Sequence, residues 1–158
     1  MSSLRQSAAL GQRSPVQSRR PRLASLRPVS EAMGGDKSPR EILQFILHSA
    51  CSTTRASTAS LMLIEAGTGI LTVEAAEGFR DHQIFKTRLP VGKGVTGWVA
   101  ETGVPLRLGN VTKDERYIRV QRGLRSELAV PLKIHGHVIG VISVDSTRLN
   151  HFSAEDEE

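Results

Sequence analysis

The chain carries one cysteine, Cys51, in 158 residues. A single thiol allows no intrachain disulfide and no cysteine-based metal cluster, and a reducing, cytoplasmic setting is expected. Long apolar runs are missing too. None approaches the ~20 residues that span a bilayer, and no apolar stretch follows the N-terminus as a secretory signal requires. No membrane partner is expected. Acidic residues are absent from 1–30, which hold six arginines (5, 13, 19, 20, 22 and 27). This leaves 15 basic against all 16 acidic residues in 31–158, so the pI of about 10.0 is a property of the first thirty residues. A basic segment with no aromatic interleaved for base stacking makes nucleic acid a poor partner, and the rest is near neutral.

Residues 1–37 are rich in Ser, Arg and Pro and poor in large apolar side chains. Such a segment buries too little surface to offset its ordering entropy and reads as a disordered tail. An organelle transit peptide, a flexible arm and an early start share that composition. Residues 38–158 read as one domain. Ser38-Pro39-Arg40-Glu41 has the pattern of a helix start with a capping box. Ile42, Leu43, Ile46, Leu47, Ala50 and Cys51 follow at helical spacing. Cys51 falls on that stripe as a small buried hydrophobe rather than a reactive thiol.

Residues 60–65 and 70–76 read as a hairpin around Ala66-Gly67-Thr68-Gly69. A short extended piece ends at Pro90. Gly92, Gly94 and Gly97 precede a short helix at 98–101. No GxxxxGK[ST] pattern is present, and no βαβ unit follows the glycines, so neither a phosphate loop nor a dinucleotide site is indicated. The glycines are expected to let the chain pack closely on the sheet, with Trp98 plugging the space above it. Residues 110–125 form a long polar stretch of the kind used as a lid or binding loop. Within it Arg116, Arg119, Arg122 and Arg125 fall three apart and would form a basic ridge on a helix, read as a solvated face, with contact to an anionic ligand as the alternative. Residues 126–146 read as a second hairpin, turning at His135-Gly136 and forming the middle of the sheet. A helix capped by Ser153 begins near the end and is not continued, which suggests a truncated element.

Four stretches in this order, GKGVTGWVAETGVPL, LRSELAVPL, HVIGVISVDS and FSAEDE, resemble a GAF domain over residues 38–158. The resemblance implies an α+β fold: a central antiparallel sheet of about six strands, terminal helices on one face, and loops and short helices forming a small-molecule pocket on the other. Most GAF domains act as sensory modules beside kinases, cyclases, phosphodiesterases or transcription activators. Phe152, Asp156 and Glu157 match half of a cyclic-nucleotide signature, whose Asn-Lys half is replaced by Asp145-Ser146. A covalent bilin would need a cysteine in the pocket region. His82, His135 and His137 keep haem ligation among the alternatives, but His135 lies at a turn tip with His137 beside it, where exposure is expected. No cofactor is implied. The free methionine-(R)-sulfoxide reductases of the family are similar at SELAVPL and VISVDS. Glu127 and Asp145 match two of their substrate-binding acids, and Ser143 replaces a third. Residues 86–126 hold no cysteine to match the reductases' catalytic thiols.

The expected function is therefore a non-catalytic regulatory module that binds a small molecule in signal transduction. Trp98 and Tyr117 are its expected pocket walls, and Asp114, Glu127, Ser143 and Asp145 its polar contacts. The alternatives are a ligand-free scaffold dimerising through the first helix and a degenerate reductase-like protein. A two-residue turn at His135-Gly136, left unbroken, would put Glu127 and Asp145 on opposite faces. A bulge at Pro131, which cannot donate to a ladder, is expected to bring them together.

Overall fold

The computed structural model describes residues 37–158. The expected tail at 1–37 thus lies, up to Gly35-Asp36, outside the described residues. The first helix, α1, spans Pro39–Thr54. Ser38 Oγ accepts from the Glu41 amide at 3.3 Å, and Glu41 Oε2 accepts from the Ser38 amide at 2.7 Å. These reciprocal bonds satisfy amides that a helix start leaves unpaired. Arg55, in the left-handed region at φ 51°, ends the helix. α1 buries Ile42, Leu43, Leu47 and Cys51 and leaves Phe45 half exposed.

Six strands follow: β1 Thr58–Glu65, β2 Ile70–Glu77, β3 Arg88–Pro90, β4 Leu106–Leu108, β5 Ser126–Ile134 and β6 His137–Ser146. A second helix, α2, spans Gly94–Thr102, starting four residues before the expected one. All pairings are antiparallel, in the order β3-β2-β1-β6-β5-β4. This is the α+β architecture that the sequence indicated. The 126–146 hairpin is not the centre of the sheet as a unit. The centre is the β1–β6 pair, which joins the β1–β2 hairpin to the β5–β6 hairpin.

Alternation divides the sheet into two faces. Ala59, Leu61, Leu128 and Val144 pack with Leu43, Leu47 and Cys51 of α1 and with Phe152. Met62, Leu71, Val73, Ala129 and Val141 pack with Val95 and Val99 of α2. The last turn, Glu155–Glu157, is a 3₁₀ turn in place of the expected helix, with Ser153 Oγ and Asp156 Oδ2 2.9 Å apart. The glycine-rich entry to α2 packs closely, as expected. A Cβ on Gly97 would lie 2.7 Å from the Pro90 carbonyl oxygen.

The second hairpin turns at His135 and Gly136, both at positive φ, 49° and 81°. The bulge lies elsewhere than expected. Lys133 pairs with Val138 and Leu132 with Gly140, so Ile139 of β6 is the extra residue. Pro131 stays in register opposite Val141. It is tolerated because β4 pairs only as far as Ala129, leaving β5 an edge strand beyond that point. The Ile139 bulge still shifts the register by one, and Glu127 pairs directly with Asp145.

Candidate functional site

A cavity of about 540 Å³, counting its open mouth, lies on the α2 face of the sheet. Its floor is polar, with Glu127 from β5, Ser143 and Asp145 from β6, and Ser60 from β1. Its walls are mainly apolar, with Met62, Val73, Leu89 and Val95 interrupted by Thr87 and Thr96. Ile118 and Val120, about half exposed at 51% and 45%, stand at its rim.

Glu127 and Asp145 are 5% and 3% exposed. Directly paired residues on one face of an antiparallel ladder have Cβ atoms roughly 4.5–5.5 Å apart. Ser143 Oγ donates to Glu127 Oε1 at 2.7 Å, and Thr58 Oγ1 donates to Asp145 Oδ2 at 3.3 Å. Among the described residues, no lysine, arginine or histidine lines the cavity or is ion-paired with either acid. Burial drives the Glu127 carboxyl well above its ordinary range, Asp114 adds to the rise, and the Ser143 hydroxyl opposes it. Burial likewise pushes Asp145 up, with the Glu127 charge adding to it and Thr58 opposing. Two buried like charges side by side cannot both ionise cheaply.

Tyr117 also lines the cavity, and its buried Oη finds no hydrogen-bond partner among the described residues. Burial, then Asp145 and Glu127, push its phenol upward. The hydroxyl therefore stays protonated, a buried donor with nothing to receive it. Such a group costs about 1–3 kcal/mol when left unpaired.

Of the six residues expected at the site, the structure brings Tyr117, Glu127, Ser143 and Asp145 together. Trp98 and Asp114 stand outside the lining and meet through Arg116. The Arg116 guanidinium lies 4.8 Å from the Trp98 ring centroid and donates to both carboxylate oxygens of Asp114, at 2.9 and 2.7 Å. That hydrogen bonding holds the Asp114 carboxyl below its ordinary range. The expected arginine ridge does not form, because residues 114–125 are not helical. Arg116 is instead a clasp that ties the loop to α2. Trp98 is the chain's only tryptophan, so Arg116→Ala is expected to red-shift intrinsic fluorescence. The stability cost should stay within about 1 kcal/mol, since the pair is partly exposed. An unchanged emission maximum would count against the clasp.

Thr58 and Ser60 were not among the expected site residues. Their signal is present: polar side chains alternate with Ala59 and Leu61 along a strand that is buried from Thr58 to Leu63. Cys51 lies on the opposite face of the sheet, and burial pushes its thiol up. No cluster of three or more His, Cys, Asp or Glu able to hold a metal occurs among the described residues.

A family model described as GAF domain matches residues 36–158. The free methionine-R-sulfoxide reductase of Escherichia coli is 34% identical over 76 residues, which are 48% of this chain and 46% of that protein. A Nif-specific regulatory protein of Azospirillum lipoferum is 22% identical over 130 residues, 78% of this chain and 21% of that one. The chain spans under half the length of the first of these relatives and about a fifth of the second. A solved free methionine-R-sulfoxide reductase from Neisseria meningitidis, in complex with its substrate, superposes with a TM-score of 0.69. Its sequence is 24% identical, with 85% of this chain and 79% of that chain covered. Reductases are enzymes, and they recur among both relatives and solved structures. The expectation of a non-catalytic module is corrected by this finding. Its physical weakness is plain: a missing pair of thiols argues against one chemistry and leaves others open.

Proposed function

This chain belongs to the GAF-domain family, and on that footing we propose that it binds a small ammonium-bearing molecule, of the amino-acid class, in the cavity above β5 and β6. The observation that carries this reading is the facing pair Glu127 and Asp145, buried with no cationic side chain beside them. A buried carboxylate is stabilised when a charge of opposite sign arrives with hydrogen-bond donors. An ammonium group supplies both. The apolar walls suit an aliphatic side chain, and the Tyr117 hydroxyl suits an acceptor at the ligand's other end. The name of the Escherichia coli relative points to free methionine sulfoxide, which carries an α-ammonium group. The regulatory relative, matched over a fifth of its length, supports a role as one module beside an output domain such as a kinase, cyclase or transcription activator. A secondary reading, contact between two copies through α1, rests on half-exposed Phe45.

Thermal shift tests the ligand class. L-methionine sulfoxide and L-methionine should raise the melting temperature, while their N-acetyl derivatives, which lack the ammonium, should not. At a hundredfold excess over Kd the stabilisation should approach roughly 2.7 kcal/mol. Tyr117→Phe should weaken binding about fivefold to tenfold, the worth of one neutral hydrogen bond. Equal shifts from the acetylated compounds would sink the reading.

A further inference from the structure

We propose that Glu127 and Asp145 hold one proton between them in the free protein and exchange it for the cationic group of the ligand, so that the cavity weighs cation against proton. The inference rests on the ammonium-binding reading and adds its regulation. The geometry carries it. The two carboxyls are cross-strand partners on one face, both almost fully buried. Each receives one hydroxyl donor, from Ser143 and from Thr58. Two carboxylates sharing so small and dry a space retain a proton unless a positive charge is supplied.

The surrounding elements do not supply that charge. Among the described residues, β1, β2, α2 and the connection leading to β3 contribute no titratable side chain to the lining. The 114–125 loop contributes Tyr117, which is neutral, and brings Asp114 within electrostatic reach of Glu127. Arg119 of the same loop acts on Tyr117 but is itself exposed. Asp114 carries its own partner in Arg116, so the loop brings the pair no uncompensated positive charge, and burial of two facing carboxyls favours the retained proton. The Glu127 carboxyl is accordingly pushed up to about 7.

The exchange balances. The free pair carries one proton and one negative charge. On binding, the ligand's N–H donors replace the shared O–H, and the proton leaves to solvent. The pair then carries two negative charges against the ligand's positive one. One proton is released per cation bound, so affinity should fall about tenfold for each pH unit below the pair's midpoint.

Carboxyl-carbon NMR of the full ligand-free chain, titrated from about pH 4 to 9, tests the first half. The two carboxyls should titrate together, with at least one step well above the ordinary range. In Asp145→Asn the Glu127 midpoint should fall, because its like-charged neighbour is gone. Methylammonium, small enough to enter the cavity whatever the natural ligand, tests the second half against sodium at equal ionic strength. It should lower the pair's midpoint, and sodium should not. Two carboxyls ionised together in the ordinary range would overturn the proposal, and so would a retained proton that methylammonium fails to move. If methylammonium moves the pair but amino acids give no thermal shift, the exchange stands and the amino-acid assignment fails.

Discussion

Asp145→Asn should make the free protein more stable at pH 8 while sharply weakening its response to ammonium-bearing ligands. The side chain is 3% exposed and faces Glu127 across the ladder. Asparagine has nearly the same shape. It can still accept from Thr58, and its amide can donate to Glu127. The variant removes an acid that must either keep a proton the unfolded chain gives up or ionise beside Glu127, a cost of about 3 kcal/mol, or roughly 10 °C in melting temperature. The pH dependence fixes the sign. Both carboxyls are raised above their unfolded values. Between the unfolded and folded pKa values the native state binds more protons than the unfolded chain, so stability falls as pH rises. The wild-type protein should therefore lose stability from about pH 5 to pH 8, and the variant should lose less. Ligand affinity should drop by about a hundredfold, the loss of one buried charge-assisted contact. A variant less stable than wild type at pH 8 would mean that the acid is already compensated.

Gly140→Val should be the most damaging single change in the sheet. Gly140 sits in β6 opposite Leu63 of β1 and Leu132 of β5, next to the Ile139 bulge. A Cβ there would overlap the Met62 carbonyl oxygen and lie 2.8 Å from Leu63 Cδ2. The carbonyl is backbone within the central β1–β6 ladder and cannot yield without opening it. Overpacking of this kind costs about 3 kcal/mol, which should lower the urea midpoint by roughly 1–2 M. Gly136→Ala provides the contrast. That turn glycine has φ 81° and open space around it, so only the backbone penalty of roughly 1 kcal/mol applies. Equal midpoints for the two variants would contradict the β1–β6 pairing.

The architecture was legible because local signals agreed with one another. Ser38 and Glu41 announced α1, and its apolar stripe is the face it buries. The β-branched run of 138–144 and the glycine at 136 placed the second hairpin and its turn. Register was harder. Pro131 was the chemically reasonable site for a bulge, since it lacks a donor. The short β4, however, leaves that donor unneeded, and strand length beyond a neighbour's end is a tertiary property. Ile139 itself has a side chain like any other in its strand; the trace its bulge leaves in composition is the adjacent Gly140, which does not say on which side the extra residue falls. The same limit applied to the 114–125 loop. A three-residue arginine spacing suggests a helical face, but there is no apolar period to bury, and Arg116 is claimed by Asp114 and Trp98. At the site, the acids were legible as types. Their shared face follows from a bulge within β6, six residues before Asp145.

Everything proposed for the cavity depends on the facing acids of β5 and β6 receiving an ammonium group. Backbone amide chemical-shift mapping with L-methionine sulfoxide tests it most directly. Saturable shifts are expected at Tyr117, Glu127, Ser143 and Asp145, and none from N-acetyl methionine sulfoxide. Saturable shifts confined to the α1 face around Phe45, or identical shifts from the acetylated compound, would contradict it.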